Sequence, residues 1–308
     1  MVAVVAAAAV VVTASLAMSG CGIFAPDPTL PTPETDVAYG PATGCGEIDA
    51  DCGGSQELDI YRSEVSGDRP VLLFFHGGGF VGGDKTMAVA PQLEAALDAG
   101  WDVVSVNYRL STPDANAFPI PLQDARRAVR WVKANAAEQG WDPDHVAAMG
   151  HSAGGNLVGM LATTADEPDF DPPDLEPELA EHDPSIVAAV ALNPVFDIAR
   201  FATAPMWRDA VIDYTGCTRN CLRVQADASV QTHVDGDAAP MLALFGDLDP
   251  WATPEHGQVV SDAYAAAGIG DRYESILVDD GDEGFRKHQV DYPRFTDRFV
   301  EFLDAHRG

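Results

Sequence analysis

Hydrophobic residues along this chain fall into short unbroken runs, separated by longer stretches with helical periodicity. Pro70–Phe75 (PVLLFF) and Val103–Tyr108 (VVSVNY) are apolar at nearly every position, which predicts strands buried on both faces. Leu58–Tyr61 (LDIY) reads as a strand ahead of them and His145–Met149 as one behind. Between these runs the period changes. Met87–Ala99 is helical in pattern and stops at Gly100. In Leu122–Gln139, Ala125, Val129, Val132 and Ala136 recur at helical spacing, while Arg126, Arg127, Arg130 and Lys133 are expected to stay wet; Gly140 ends the helix. The alternation resumes with Ile186–Leu192, Pro240–Phe245 and Arg272–Val278 as strands. Gln258–Ala267 and Tyr292–His306 are the helices between and after them. Strand and helix in alternation imply parallel strands with helical crossovers, so the fold class is α/β.

Two stretches interrupt this alternation. Asp166–Asp183 holds nine carboxylates and four prolines, and reads as a solvated acidic loop. A calcium site is the alternative there, but no EF-type spacing supports it. Phe196–Ala239 separates two strands and carries Trp207, Tyr214 and the pair Cys217/Cys221, so 196–239 is a candidate cap over a site. The plainer reading is an elaborated crossover.

The chain opens differently. Val2–Met18 is apolar or small apart from Thr13 and Ser15, and ends in Met18-Ser19-Gly20-Cys21. Residues 1–20 resemble a bacterial lipoprotein signal, which implies lipidation at Cys21; an uncleaved N-terminal anchor is the alternative. Both readings export the domain and tether it at the outer face of a membrane through the N-terminus; a plainly secreted form is the remaining case. Residues 21–55 carry five prolines among Thr, Asp and Gly, and read as a linker. The folded domain is expected over 56–308. In an exported chain the remaining cysteines favour disulfides, and proximity pairs Cys45 with Cys52 and Cys217 with Cys221. A metal site is disfavoured, since neither pair has a histidine at ligand spacing.

Length and composition bound the rest. The 308 residues, 46% of them hydrophobic, supply a sizeable core. The net charge of −30, with only Lys85, Lys133 and Lys287 as lysines, argues against nucleic-acid partners and against docking on anionic lipid headgroups. It reads as a solubility device.

The chemistry concentrates at two glycine-rich turns. Val146–Gly155 (VAAMGHSAGG) contains Gly150-His151-Ser152-Ala153-Gly154, a G-x-S-x-G pattern between an apolar run and the small-residue helix Asn156–Thr163. A serine raised on a sharp strand-to-helix turn needs small neighbours, and the helix N-terminus aims backbone N–H groups beside it. The bland reading is a glycine-rich turn with an incidental serine. His76-Gly77-Gly78-Gly79-Phe80 follows another buried strand. Its backbone can fold against a substrate carbonyl, so the N–H groups of Gly78, Gly79 and Ala153 are the candidate oxyanion hole.

With these motifs in this order, the chain resembles the α/β-hydrolase superfamily. The likeness is to the HGGG-bearing carboxylesterases related to hormone-sensitive lipase, and to the bacterial feruloyl-esterase-like group. It runs from Gln56 to the C-terminus through LDIY, HGGGF, VNYRL, DARRAVRW (Asp124–Trp131), GHSAGGNL and GDLDPWATP. The resemblance implies an eight-stranded, mostly parallel sheet with a serine, an acid and a histidine on successive loops. Ser152 would be the nucleophile. Asp249 and Pro254 match the family's G-x-x-D with a following proline; Asp247 is the alternative acid. The family's histidine, commonly in H-G-F after the last strand, is replaced here by Glu283 in Glu283-Gly284-Phe285. A glutamate titrates near 4.3, about two units below imidazole, and makes a poor base. His288 lies in the same connection and is the expected base. The implied reaction is hydrolysis of small-molecule carboxylic esters without metal or cofactor, with Trp207 and Trp251 as candidate pocket aromatics. A serine peptidase is the neighbouring enzyme reading. A non-catalytic ligand-binding or adhesion protein is the rival of another class, kept open by Glu283.

Overall fold

The computed structural model describes residues 30–42, 55–87, 90–278 and 295–307. Within these residues eight strands form one sheet in the order β1-β2-β4-β3-β5-β6-β7-β8. The strands are β1 (Glu34–Ala38), β2 (Glu57–Tyr61), β3 (Arg69–Phe75), β4 (Asp102–Val106), β5 (Trp141–His151), β6 (Ala189–Leu192), β7 (Met241–Gly246) and β8 (Tyr273–Val278). β1, β2 and β4 pair antiparallel at one edge; every other neighbouring pair is parallel. The helices are α1 (Ala90–Asp98), α2 (Ile120–Ala134), α3 (Ala136–Gln139), α4 (Ala153–Thr163), α5 (Pro177–Ala180), α6 (Ile198–Phe201), α7 (Arg208–Thr215), α8 (Leu222–Asp227), α9 (Pro254–Ala266) and α10 (Thr296–Ala305).

The continuous apolar runs are explained by two cores, one on each face. Leu73, Phe75, Val104, Val106, Val146 and Ala148 face α2, α4 and α9, where Val129, Leu157 and Val260 meet them. The alternate residues Leu72, Phe74, Val103, Ala147 and Met149 face α1 and α10, against Leu93, Leu97, Phe299 and Leu303. A strand buried on both sides has no polar face to show. Because both layers of helix are present, the strand ends, and not their faces, are left to build a site.

Two expectations are corrected. Residues 34–38, read within the linker, form β1 at the sheet edge. Their side chains are mostly exposed, so no hydrophobic alternation marks them. What holds them is backbone pairing with β2, followed by the buried Tyr39, whose hydroxyl donates to the Asn107 carbonyl at 2.6 Å. Residues 1–29 and 43–54 lie outside the described residues, and with them Cys21, Cys45 and Cys52.

The second correction concerns the arginines of α2. Arg126, Arg127 and Arg130 are buried, not wet. The acidic segment folds over them. Asp171 bridges Arg126 at 2.7 Å and Arg130 at 2.9 Å; Asp174 pairs with Arg127 at 2.6 Å, and Glu176 also pairs with Arg127. At the end of the segment Lys133 meets Asp183 at 2.8 Å. The nine carboxylates are therefore not simply a solvated loop: several are counter-charges to one helix. Among the described residues no group of His, Cys, Asp and Glu is arranged to hold a metal ion. Asp171→Ala would strand two buried guanidinium groups. It is expected to cost about 2–3 kcal/mol, below the usual cost of breaking a buried pair because Asp171 is partly exposed. The urea midpoint measures this, and an unchanged midpoint would contradict it.

Candidate active site

Ser152 stands between the last residue of β5 and the first of α4. Its φ of 54° and ψ of −112° lie outside the ordinary regions for a side-chain-bearing residue. Such a conformation persists only if its surroundings hold it. The Ser152 N–H donates to the Leu192 carbonyl at 2.9 Å, and its own carbonyl accepts from Asn156 at 3.1 Å. The turn admits no bulk. A Cβ on Gly154 would sit 2.0 Å from the Phe75 carbonyl oxygen, because α4 starts in contact with the end of β3. That contact explains the second glycine of the pattern and brings the HGGG turn beside the serine: a Cβ on Gly77 would meet the Ser152 Cβ at 3.2 Å.

The HGGG turn is built from below. His76 stacks on Tyr108 at 4.4 Å between ring centroids, and the Tyr108 hydroxyl donates to the His76 carbonyl at 2.9 Å. Gly78 takes a φ of 124°, where its carbonyl accepts the N–H groups of Val81 at 3.2 Å and Gly82 at 3.1 Å. Only glycine occupies that region at no steric cost. The VNYRL loop behind the turn is fixed in the same way. Asp124, fully buried, accepts from the Arg109 backbone at 2.8 Å and its guanidinium at 2.7 Å, and from the Gln56 amide at 2.7 Å.

Asp249 leaves β7 on the neighbouring loop and is 3% exposed, whereas Asp247 points to solvent. The Asp249 Oδ1 accepts the backbone N–H groups of Trp251 at 2.8 Å and Ala252 at 3.0 Å; Oδ2 accepts the Asn193 amide at 2.7 Å. Three donors on one carboxylate favour its charged form. His256, on the first turn of α9, is buried close by. Its Nδ1 accepts the Asp197 N–H at 3.0 Å, and burial lowers its pKa to about 4.

The region expected as a cap is a set of short helices, α6 to α8, returning over this end of the sheet. A Cβ on Gly79 would stand 2.6 Å from the Trp207 ring, so the indole lies directly on the HGGG turn. Trp207 meets Trp251 edge-on, with centroids 5.6 Å apart. The two candidate aromatics thus form one wall from the HGGG turn to the Asp249 loop. Tyr214 stacks on Phe80 at 3.6 Å, and one turn further Cys217 and Cys221 are joined in a disulfide, as their spacing suggests. Glu283 and His288 lie outside the described residues. Asn193 was not singled out by sequence; the only signal is an Asn-Pro dipeptide after a strand, which reads as a turn.

Ser152, the HGGG backbone and Asp249 therefore converge at the C-terminal ends of β3, β5 and β7. That placement suits acyl transfer at a serine. A family model described as BD-FAE matches residues 58–264. The probable carboxylic ester hydrolase LipM of Mycobacterium tuberculosis is 33% identical over 223 residues, covering 70% of this chain and 47% of that protein. Esterase LipQ of the same organism is 28% identical over 247 residues, 76% of this chain and 53% of that protein. The chain thus spans about half the length of these curated relatives. Among solved structures, Thermogutta terrifontis esterase 2 phosphoramylated by tabun superposes with a TM-score of 0.68 at 25% identity, over 90% of this chain and 96% of that one. With the G-x-S-x-G turn, the HGGG turn and the mostly parallel eight-stranded sheet of the α/β-hydrolase fold, the chain belongs to the BD-FAE family.

Proposed function

We propose that this protein is a serine hydrolase of small carboxylic esters. The observation that carries the reading is the strained Ser152 beside the HGGG turn, with a buried, hydrogen-bonded Asp249 on the next loop but one. In this mechanism Ser152 Oγ attacks the acyl carbon, and His288 takes its proton and returns it to the leaving alcohol. Asp249 orients His288 and stabilises its imidazolium form. The N–H groups of Gly78, Gly79 and Ala153 receive the oxyanion; among the described residues no backbone hydrogen bond occupies them. Water then deacylates Ser152. The residues named supply every proton transfer, so the mechanism calls on no cofactor. The names of the relatives support the reading, as does the organophosphate adduct of the Thermogutta esterase.

The test is hydrolysis of p-nitrophenyl acetate and butyrate by the purified full chain. It is paired with paraoxon treatment, which should stop turnover as one diethyl phosphate joins the Ser152 peptide. Absence of both would favour the non-catalytic ligand-binding reading that Glu283 suggests. Turnover of peptide amides but not esters would favour the peptidase.

Export and tethering through Cys21 belong to the same proposal. The apolar run before Met18-Ser19-Gly20-Cys21 supports them. Expressed in a bacterial host, the protein should incorporate labelled palmitate, and Cys21→Ala should not. Equal labelling of the two forms, or none in either, would count against lipidation at Cys21.

A further inference from the structure

We infer that Asn193 is a positioning residue for catalysis, holding Oδ2 of Asp249 and setting how strongly that carboxylate charges the base. The inference rests on the triad reading above. Asn193 is fully buried, and its φ of 43° lies in the left-handed region that asparagine tolerates better than most residues. It directly follows β6, between the strand that delivers Ser152 and the strand that delivers Asp249. Its backbone N–H donates to the Leu244 carbonyl of β7 at 2.8 Å. One residue earlier, the Leu192 carbonyl receives the Ser152 N–H; two residues later, the Val195 N–H reaches the Ser152 carbonyl at 3.4 Å. This short segment is thus bonded to the nucleophile on one side and to the acid's strand on the other. The side chain completes the link, with Nδ2 donating to Asp249 Oδ2 at 2.7 Å.

The chemistry follows from what each carboxylate oxygen does. Oδ1 is occupied by two backbone donors whose positions the loop itself fixes. Oδ2 is held by a side chain, and that donor offsets part of the charge an imidazolium would otherwise feel. Without the donor the carboxylate turns more freely, so the base is less well aimed. Its charge is also less compensated, so the base is harder to deprotonate. Among the described residues the other ionisable groups here are His256 on α9, Asp197 and Arg200 on the crossover, and Asp247 on the same loop. His256 titrates near 4, below the range of a catalytic imidazole, and Asp247 faces solvent.

The experiment uses the full chain with p-nitrophenyl butyrate as substrate. It compares kcat, KM and the pH profile of kcat/KM for the wild type, Asn193→Ala and Asn193→Asp. Asn193→Ala should lower kcat roughly 10- to 100-fold, the loss of one hydrogen bond to a charged group, with KM nearly unchanged. The acid limb of its profile should move up by about half to one pH unit. Asn193→Asp keeps the volume but adds a second carboxylate, and should move the limb further in the same direction. A purely structural role would leave the limb in place. Ser152-dependent turnover with kcat and limb unchanged in both variants would overturn the inference and leave the esterase reading standing. If Asn193→Ala does not fold, the limb of the isosteric Asn193→Asp decides alone. A wild type without Ser152-dependent turnover would remove the triad reading and this inference together.

Discussion

Ser152→Ala is expected to bring ester hydrolysis down to background, a loss on the order of 10⁴- to 10⁶-fold in kcat. In the proposed mechanism Ser152 forms the covalent acyl intermediate, and the neighbouring groups among the described residues are otherwise engaged. Trp207 covers Gly79, and Asp249 is enclosed by its donors. His288→Ala should cost a similar factor, because a neutral serine hydroxyl with no base attacks poorly. The double variant Ser152→Ala/His288→Ala should be no worse than either single one, since residues that act as a unit do not contribute additively. Glu283→Ala should retain most activity. A carboxylate with an ordinary pKa is too weak a base for this step at neutral pH. The reverse result, activity lost with Glu283 and kept without His288, would assign the base to Glu283 and would require strong desolvation of its carboxyl. Survival of turnover in Ser152→Ala would contradict the mechanism outright.

Most of the sheet was legible because its strands are parallel and buried on both faces. Val71–Phe75 and Val103–Val106 have no polar face, and such runs are hard to mistake. β1 was not legible. Its sequence ETDVA sits among prolines and most of its side chains face water, so backbone pairing with β2, with the Asp36–Lys85 ion pair, makes it a strand. An edge strand needs one bonded flank and no buried face, and side-chain pattern cannot report that. The arginines of α2 failed for a related reason. A helical face of charged residues looks solvated unless the segment that covers it is known, and Asp171 lies 45 and 41 residues from Arg126 and Arg130. The acidic run and the basic face were both visible; their complementarity was a tertiary fact.

The site divided along the same line. Ser152 and the HGGG turn are local motifs, although only some of their glycines answer nearby backbone: Gly78 and Gly150 meet backbone four residues on, whereas Gly154 meets the Phe75 carbonyl and Gly79 the Trp207 ring. The choice between Asp249 and Asp247 also had a local component, yet the geometry that separates them is not local: one is enclosed by Asn193 from another strand, the other faces solvent. Asn193 itself could not be picked out, because its role depends on where β7 delivers an acid 56 residues later.

Stability is expected to fall steeply between pH 6.5 and 4, through His76 and His256. Each is buried, and burial lowers each from 6.5 to about 4. The folded state therefore refuses a proton that the unfolded chain takes up below pH 6.5. Stability is complete above that value and is lost as the pH falls, until the folded histidines protonate near 4. A difference of this size amounts to about 3 kcal/mol for each histidine. The structural reasons differ. His76 Nδ1 lies 2.8 Å from the Gly77 carbonyl, so it acts as donor, and the second proton must go to Nε2, which is buried without a partner among the described residues. His256 uses Nδ1 as acceptor from the Asp197 N–H, and protonation there breaks that bond. Asp102 and Asp171 are held below the usual carboxylate range, despite burial, by their hydrogen bonds to arginine and other donors, so their losses come at lower pH. Burial pushes the Asp59 carboxyl up, which acts in the opposite sense and softens the slope. Together the histidines should lower the melting temperature by roughly 10–20 °C between pH 7 and 4.5, read by calorimetry. His76→Asn and His256→Asn keep a donor or acceptor at the Nδ1 position, and each should remove about half of the slope. A melting temperature flat over this range in the wild type would show that neither imidazole is held neutral by the fold.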